Sequence, residues 1–151
     1  MTTVATSPVQ QRLSASSLAP TVYKAMAAFD RAVDFDPPLR ELVKIRASQL
    51  NGCAYCLDLH VRDARATGED ERRLATLAGW RESPFFVERE RAALALTDAV
   101  TRLGEHGVTD EVWNEAAAYF EPAELAQLLW AIIAINAWNR IGVATRLLPE
   151  K

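Results

Sequence analysis

Apolar positions along this chain recur every three to four residues and almost never alternate, so the sequence predicts helix after helix and no confident strand. Val22, Met26, Phe29 and Val33 repeat at helical spacing behind Pro20, a residue suited to a first helical turn. Asp36-Pro37 reads as a cap followed by proline at the first helical position, and Leu39, Leu42, Val43, Arg46, Ala47 and Leu50 trace the helix beyond it. Asn51-Gly52 ends that helix. A third helix is expected from about Cys53 to Thr67, stopped by Gly68, with Leu57, Val61 and Ala64 as its apolar stripe. A short helix holding Leu74 and Leu77 should end near Gly79, and Trp80 to Pro84 reads as a loop.

Ser83-Pro84 is then expected to open a long helix ending at Gly104, with Val87, Leu94, Leu96, Val100 and Leu103 along it. Gly104 to Val108 is a connector carrying His106, and Thr109 caps a helix through Val112, Trp113, Ala116 and Phe120. Glu121-Pro122 restarts the chain into a last helix whose run Leu128 to Ile135 is apolar on every side. Such a run is too short to cross a membrane, which takes about 20 residues, so it is expected to be buried in the core or between subunits. The predicted architecture is an all-α bundle: one domain over 18–151 behind a mobile, Ser/Thr/Gln-rich tail over 1–17, with no internal repeat.

Composition narrows the function. The chain has 151 residues, half of them apolar and a quarter charged, with a net charge of −3, which suits a single globular domain with a sizeable core. No basic patch interleaved with aromatics points to nucleic acid. The first residues carry neither an early charge nor a long apolar run, so no signal peptide and no membrane association are expected. Two cysteines are too few for a secreted disulfide scaffold, and the expected compartment is the reducing cytoplasm.

Those two cysteines carry most of the chemical information. Cys53 and Cys56 stand three apart and His60, one of two histidines, four further on, so all three share one helical face. Two thiols and an imidazole in one stripe are suited to dithiol–disulfide chemistry, with one sulfur to attack, one to resolve and a base to make thiolate. The residues alone leave open which sulfur attacks. The helix N-terminus favours Cys53 as thiolate, whereas proximity to His60 favours Cys56. Two other readings compete: buried structural thiols beside a satisfied histidine, or a metal site in which Glu41 joins Cys53, Cys56 and His60. A thioredoxin-like assignment is excluded by the lack of a βαβ context.

Glu41 lies on the preceding helix beside apolar Leu42 and Val43. If it abuts His60 it can hold the imidazole tautomer and accept a proton. Arg46, one turn on, could pair with a substrate anion or a carboxylate, or be a plain surface charge. Trp80, Phe85, Phe86, Trp130 and Trp138 could line an apolar pocket, although aromatics at helical spacing more often belong to a core.

Glu41, eleven intervening residues, Cys53-Ala-Tyr-Cys56, three more and His60: this pattern resembles the alkylhydroperoxidase D (AhpD)-like family of the carboxymuconolactone decarboxylase-like superfamily. The resemblance continues in Pro38-Leu-Arg-Glu-Leu-Val-Lys-Ile-Arg46 and Ala134-Ile-Asn-Ala-Trp-Asn-Arg140, and so spans about Leu18 to Leu148. It implies an all-α homo-oligomer, a trimer or hexamer, that reduces hydroperoxides at the dithiol without metal, flavin or haem. A small dithiol or thiol carrier protein would act as reductant. By the same resemblance Cys56 would be the peroxidatic cysteine, Cys53 the resolving one, and Glu41 and His60 the proton relay. The best-known members carry a second histidine where this chain has Tyr55. The alternatives are a non-enzymatic redox or stress sensor, and a decarboxylase-like enzyme of the same superfamily, whose members generally lack the dithiol.

Overall fold

In the computed structural model, which describes residues 9–150, eight α-helices and one short 3-10 turn account for the regular structure, and no strand occurs among the described residues. The order is α1 (Ala15–Leu18), α2 (Pro20–Ala32), α3 (Pro37–Asn51), α4 (Ala54–Ala66), α5 (Glu71–Thr76), the 3-10 turn Leu77–Gly79, α6 (Glu88–Thr101), α7 (Asp110–Tyr119) and α8 (Pro122–Thr145). The expected all-α bundle is therefore present. Of the tail expected over 1–17, the first eight residues lie outside the described residues. From Val9 the chain runs extended along the end of α8, where the Arg12 backbone N–H donates to the Thr145 carbonyl at 2.8 Å.

Helix α3 is the hub, packing against α4, α6 and α8. Leu39, Leu42, Val43, Ile45 and Ala47 are almost wholly buried, covering more of its circumference than a surface helix would. Leu94 and Leu96 of α6 and Leu128, Ile132 and Ile135 of α8 close the core around it. At about 1.5–3 kcal/mol per fully buried large aliphatic side chain, these layers hold the three helices in register. Asp36 precedes α3 as expected, but its carboxylate pairs with Arg89 at 3.0 Å instead of capping the helix.

The start of one helix and the length of another differ from the sequence reading. Helix α6 begins at Glu88, not at Ser83-Pro84. The Ser83 hydroxyl is turned toward Thr76 and Phe86 is buried, so residues 83–87 are held as a loop, and the Glu90 carboxylate accepts from the Val87 N–H at 3.0 Å to start the helix. The last helix spans 24 residues, enough by length and composition to cross a membrane, yet half of its most apolar stretch is buried within this fold. Trp130 and Ile133 remain on its outer face.

Candidate active site

The site is built at the junction of α3 and α4. Helix α3 ends where Gly52 takes a left-handed conformation (φ 67°), which L-residues with a side chain rarely adopt. The Cys53 N–H then donates to the Ser48 carbonyl at 3.1 Å, turning the chain into α4. Cys53 is the N-cap of α4, and its sulfur accepts from the Cys56 backbone N–H at 3.3 Å. The two cysteines are joined in a disulfide across the first helical turn, with their Cα atoms 5.3 Å apart. Both are buried. With the sulfurs bonded to each other, neither serves as a thiolate ligand, so the Cys53/Cys56/His60/Glu41 metal set is not assembled in this form.

His60 follows Cys56 by one turn and is 9 % exposed. Its Nδ1 lies 3.2 Å from Glu41 Oε2, and Asp63 Oδ2 stands 3.9 Å from the same nitrogen. An ionised Glu41 accepts the Nδ1 proton and so leaves Nε2 as the nitrogen able to take another. Burial pushes the Glu41 carboxyl upward, but the His60 hydrogen bond and the positive charges of Lys44 and His60 outweigh it and hold the group below its ordinary value. Lys44 Nζ lies 3.5 Å from Glu41 Oε1. Asp63 and Lys44 were not singled out in the sequence; their i+3 spacing from His60 and Glu41 is the signal that could have found them.

A cavity of about 330 Å³ opens beside the pair. Cys56 and His60 line it and Cys53 does not. Tyr23, Tyr55, Leu59, Trp138, Ile141 and Leu147 make its walls, and Gln11 and Ser14 to Ser16 close one side. Leu147 reaches it because Arg146 turns left-handed (φ 54°) and the Leu147 N–H donates back to the Gly142 carbonyl at 2.9 Å. Among the described residues neither lysine nor arginine borders the cavity, and Asp30, the one carboxylate among them that does, is ion-paired with Arg40 at 2.9 Å. Tyr55 presents its phenol here, with its pKa raised by desolvation first and then by Glu150 and Tyr23. Of the aromatic pocket candidates only Trp138 reaches this cavity, where its ring meets Tyr23 edge-on. Trp80 and Phe86 are core residues, Phe85 lies beneath Arg72, and Trp130 packs on Phe29 at the surface.

Behind the cysteines, α8 docks through buried amides that sequence reasoning passed over. Asn51 Nδ2 donates to the side-chain oxygens of Asn136 and Asn139, both at 2.9 Å, and Asn139 Nδ2 donates to Ser48 Oγ at 2.9 Å. Asn139 is wholly buried, so its amide stays in place because these bonds satisfy it. This ties the turn before Cys53 to α8. Arg46 belongs elsewhere: it grips Asp98 with two hydrogen bonds, at 2.6 and 3.0 Å, on the far side of α3. His106 is exposed in the α6–α7 connector and does not join the site.

Residues 20–99 match the carboxymuconolactone decarboxylase family. The uncharacterized protein YdfG of Bacillus subtilis (strain 168) is 37% identical over 139 residues, covering 90% of this chain and 95% of its own length. The uncharacterized protein YnjA of Escherichia coli (strain K12) is 35% identical over 124 residues, 77% of this chain and 67% of its own. A crystal structure of a protein of unknown function from Agrobacterium tumefaciens, provisionally an antioxidant defence protein AhpD, superposes with a TM-score of 0.91 at 36% identity, covering 94% of this chain and 99% of that one.

Proposed function

Since this chain belongs to the carboxymuconolactone decarboxylase family, with an AhpD-like fold, we propose that it is a thiol-dependent peroxidase acting on organic hydroperoxides. The Cys56 thiolate attacks the terminal oxygen of ROOH; the O–O bond breaks, the sulfur takes that oxygen as sulfenic acid, and ROH leaves after gaining a proton. The Cys53 thiolate then attacks the Cys56 sulfur, forming the disulfide and releasing water. An external dithiol, small or carried on a partner protein, restores the pair by exchange and is itself oxidised. His60, held by Glu41 through Nδ1, passes protons at Nε2, first from the Cys56 thiol and then to the leaving oxygen.

The observation that carries this reading is the asymmetry of the pair: Cys56 and the Glu41-held His60 share a cavity that Cys53 does not border. The cavity's largely apolar wall, with Asp30 already ion-paired, favours uncharged organic peroxides. The apolar outer face of α8, with Trp130 and Ile133, supports a homo-oligomer, which light scattering would register.

The test uses fully reduced protein and one equivalent of cumene hydroperoxide. Rapid loss of both thiols, with the mass of an intramolecular disulfide and full recovery on adding dihydrolipoamide, is the expected result. Thiols that persist would set the peroxidase reading aside. Oxidation without recovery by any dithiol would favour a non-enzymatic redox sensor.

A further inference from the structure

Of the six glycines in the chain, five have open space where a β-carbon would be, and one does not. A β-carbon on Gly142 would lie 2.7 Å from Cys53 Sγ and 3.5 Å from Cys56 Sγ. Gly142 sits inside the last turns of α8, fully in the helix and without a positive φ. Its backbone therefore does not call for glycine, and glycine there costs about 1 kcal/mol of helix stability relative to alanine. The explanation lies in the neighbour. Asn139, one turn earlier on α8, fastens the helix to the turn that carries Cys53, so α8 cannot back away from the sulfurs without breaking buried amide hydrogen bonds.

We infer that Gly142 is a positioning residue for the redox pair, which leaves room for the Cys53 sulfur in the disulfide and thereby sets the balance between disulfide and dithiol. The two redox forms differ in what they can tolerate at this point. In the disulfide the Cys53 sulfur is bound to its partner and cannot rotate. In the dithiol, Cys53 can turn about its Cα–Cβ bond to another staggered position. A side chain at 142 thus penalises the oxidised form more than the reduced one. This inference rests on the reading that the pair cycles, but its test uses no peroxide and stands or falls separately.

The experiment equilibrates wild-type protein and Gly142→Ala against mixtures of reduced and oxidised dithiothreitol. Two electrons and two protons pass from the reagent to the protein disulfide, giving the protein dithiol and oxidised reagent. The disulfide-forming equilibrium constant should fall about tenfold or more in Gly142→Ala, a rise of about 30 mV or more in potential. An equilibrium within about twofold of wild type would overturn the inference. Thermal melts of Gly142→Ala, alone and in a Cys53→Ala background, guard against a simple packing defect. Without the Cys53 sulfur the alanine should cost nothing relative to Cys53→Ala alone. If Gly142→Ala folds only when reduced or in the Cys53→Ala background, the clash is with the disulfide-held sulfur and the inference holds; failure to fold when reduced as well overturns it. Equal damage, or failure to fold, in both backgrounds overturns it.

Discussion

Among the partly buried charges of helix α3, two that stand five residues apart, Glu41 and Arg46, lead into opposite kinds of structure. Arg46 closes a bidentate pair with Asp98, to which the Arg81 guanidinium and the Trp80 indole N–H also donate. Every donor in that cluster converges on the one carboxylate, and none of its members lines the cavity. Glu41 instead faces His60, an imidazole that can both donate and accept, beside a cavity that Cys56 lines. The same helix thus supports a fixed strut on one side and, in the proposed function, a proton path on the other. What separates them is the partner, a guanidinium that only donates against an imidazole that can both donate and accept, and not burial, since both carboxylates are similarly shielded.

Four substitutions test that contrast. The largest effect should come from Cys56→Ser, which removes the proposed nucleophile and should abolish hydroperoxide turnover in a coupled dithiol assay while leaving the helical circular dichroism spectrum unchanged. Glu41→Gln should reduce kcat/KM by about a hundredfold, because the imidazole loses its anionic partner, while lowering stability by only about 1 kcal/mol in urea titrations. Asp98→Asn should reverse that pattern: about 2–3 kcal/mol of stability lost, since two guanidinium groups lose their counter-charge, with turnover per folded molecule unchanged. A comparable loss of rate in Asp98→Asn would erase the distinction between strut and relay. The smallest effect is expected for Tyr55→Phe. Its raised pKa keeps the phenol protonated at neutral pH, so losing the hydroxyl should change turnover by less than about threefold.

Acid sharpens the comparison further. Both Glu41 and Asp98 have folded-state pKa values below their ordinary ones: burial opposes this in each, and the partners His60 and Lys44, or Arg46 and Arg81, prevail. A depressed carboxylate pKa contributes stability that is complete above the unfolded-state value and is lost as pH falls through the folded-state value. Melting temperatures should therefore fall on the acid side of the ordinary carboxylate range. Asp98→Asn should flatten that acid limb by removing one of the two contributions. An acid limb as steep as the wild-type one in this variant would contradict the assignment.

The sequence disclosed the helices and the redox motif for the same reason: both are local. Helical spacing of apolar residues, Pro20, Pro37 and Pro122 at helix starts and Gly52 at a helix end are read within a few positions. The stripe of Cys53, Cys56 and His60 is likewise fixed by 3.6-residue periodicity. What escaped was set by packing between distant segments. Helix α6 starts late because Phe86 is drawn into the core and Glu90 ties down Val87, a competition no local propensity reports. The pairing of Glu41 with His60 was conditional on how α3 and α4 cross, and Arg46 could be matched with Asp98 only once α6 was in place. The amide cluster of Asn51, Asn136 and Asn139 and the closeness of Gly142 to the sulfurs depend on α8 returning, some 85 residues later, against the turn that begins the site.

The central claim is that Cys56 meets the peroxide and Cys53 resolves it. The direct measurement treats reduced Cys53→Ser and Cys56→Ser variants with one equivalent of cumene hydroperoxide in the presence of a sulfenic-acid trap and maps the adduct by peptide mass. A trapped adduct should form on Cys56 in Cys53→Ser and none on Cys53 in Cys56→Ser. An adduct forming as fast on Cys53 in the Cys56→Ser variant would contradict it.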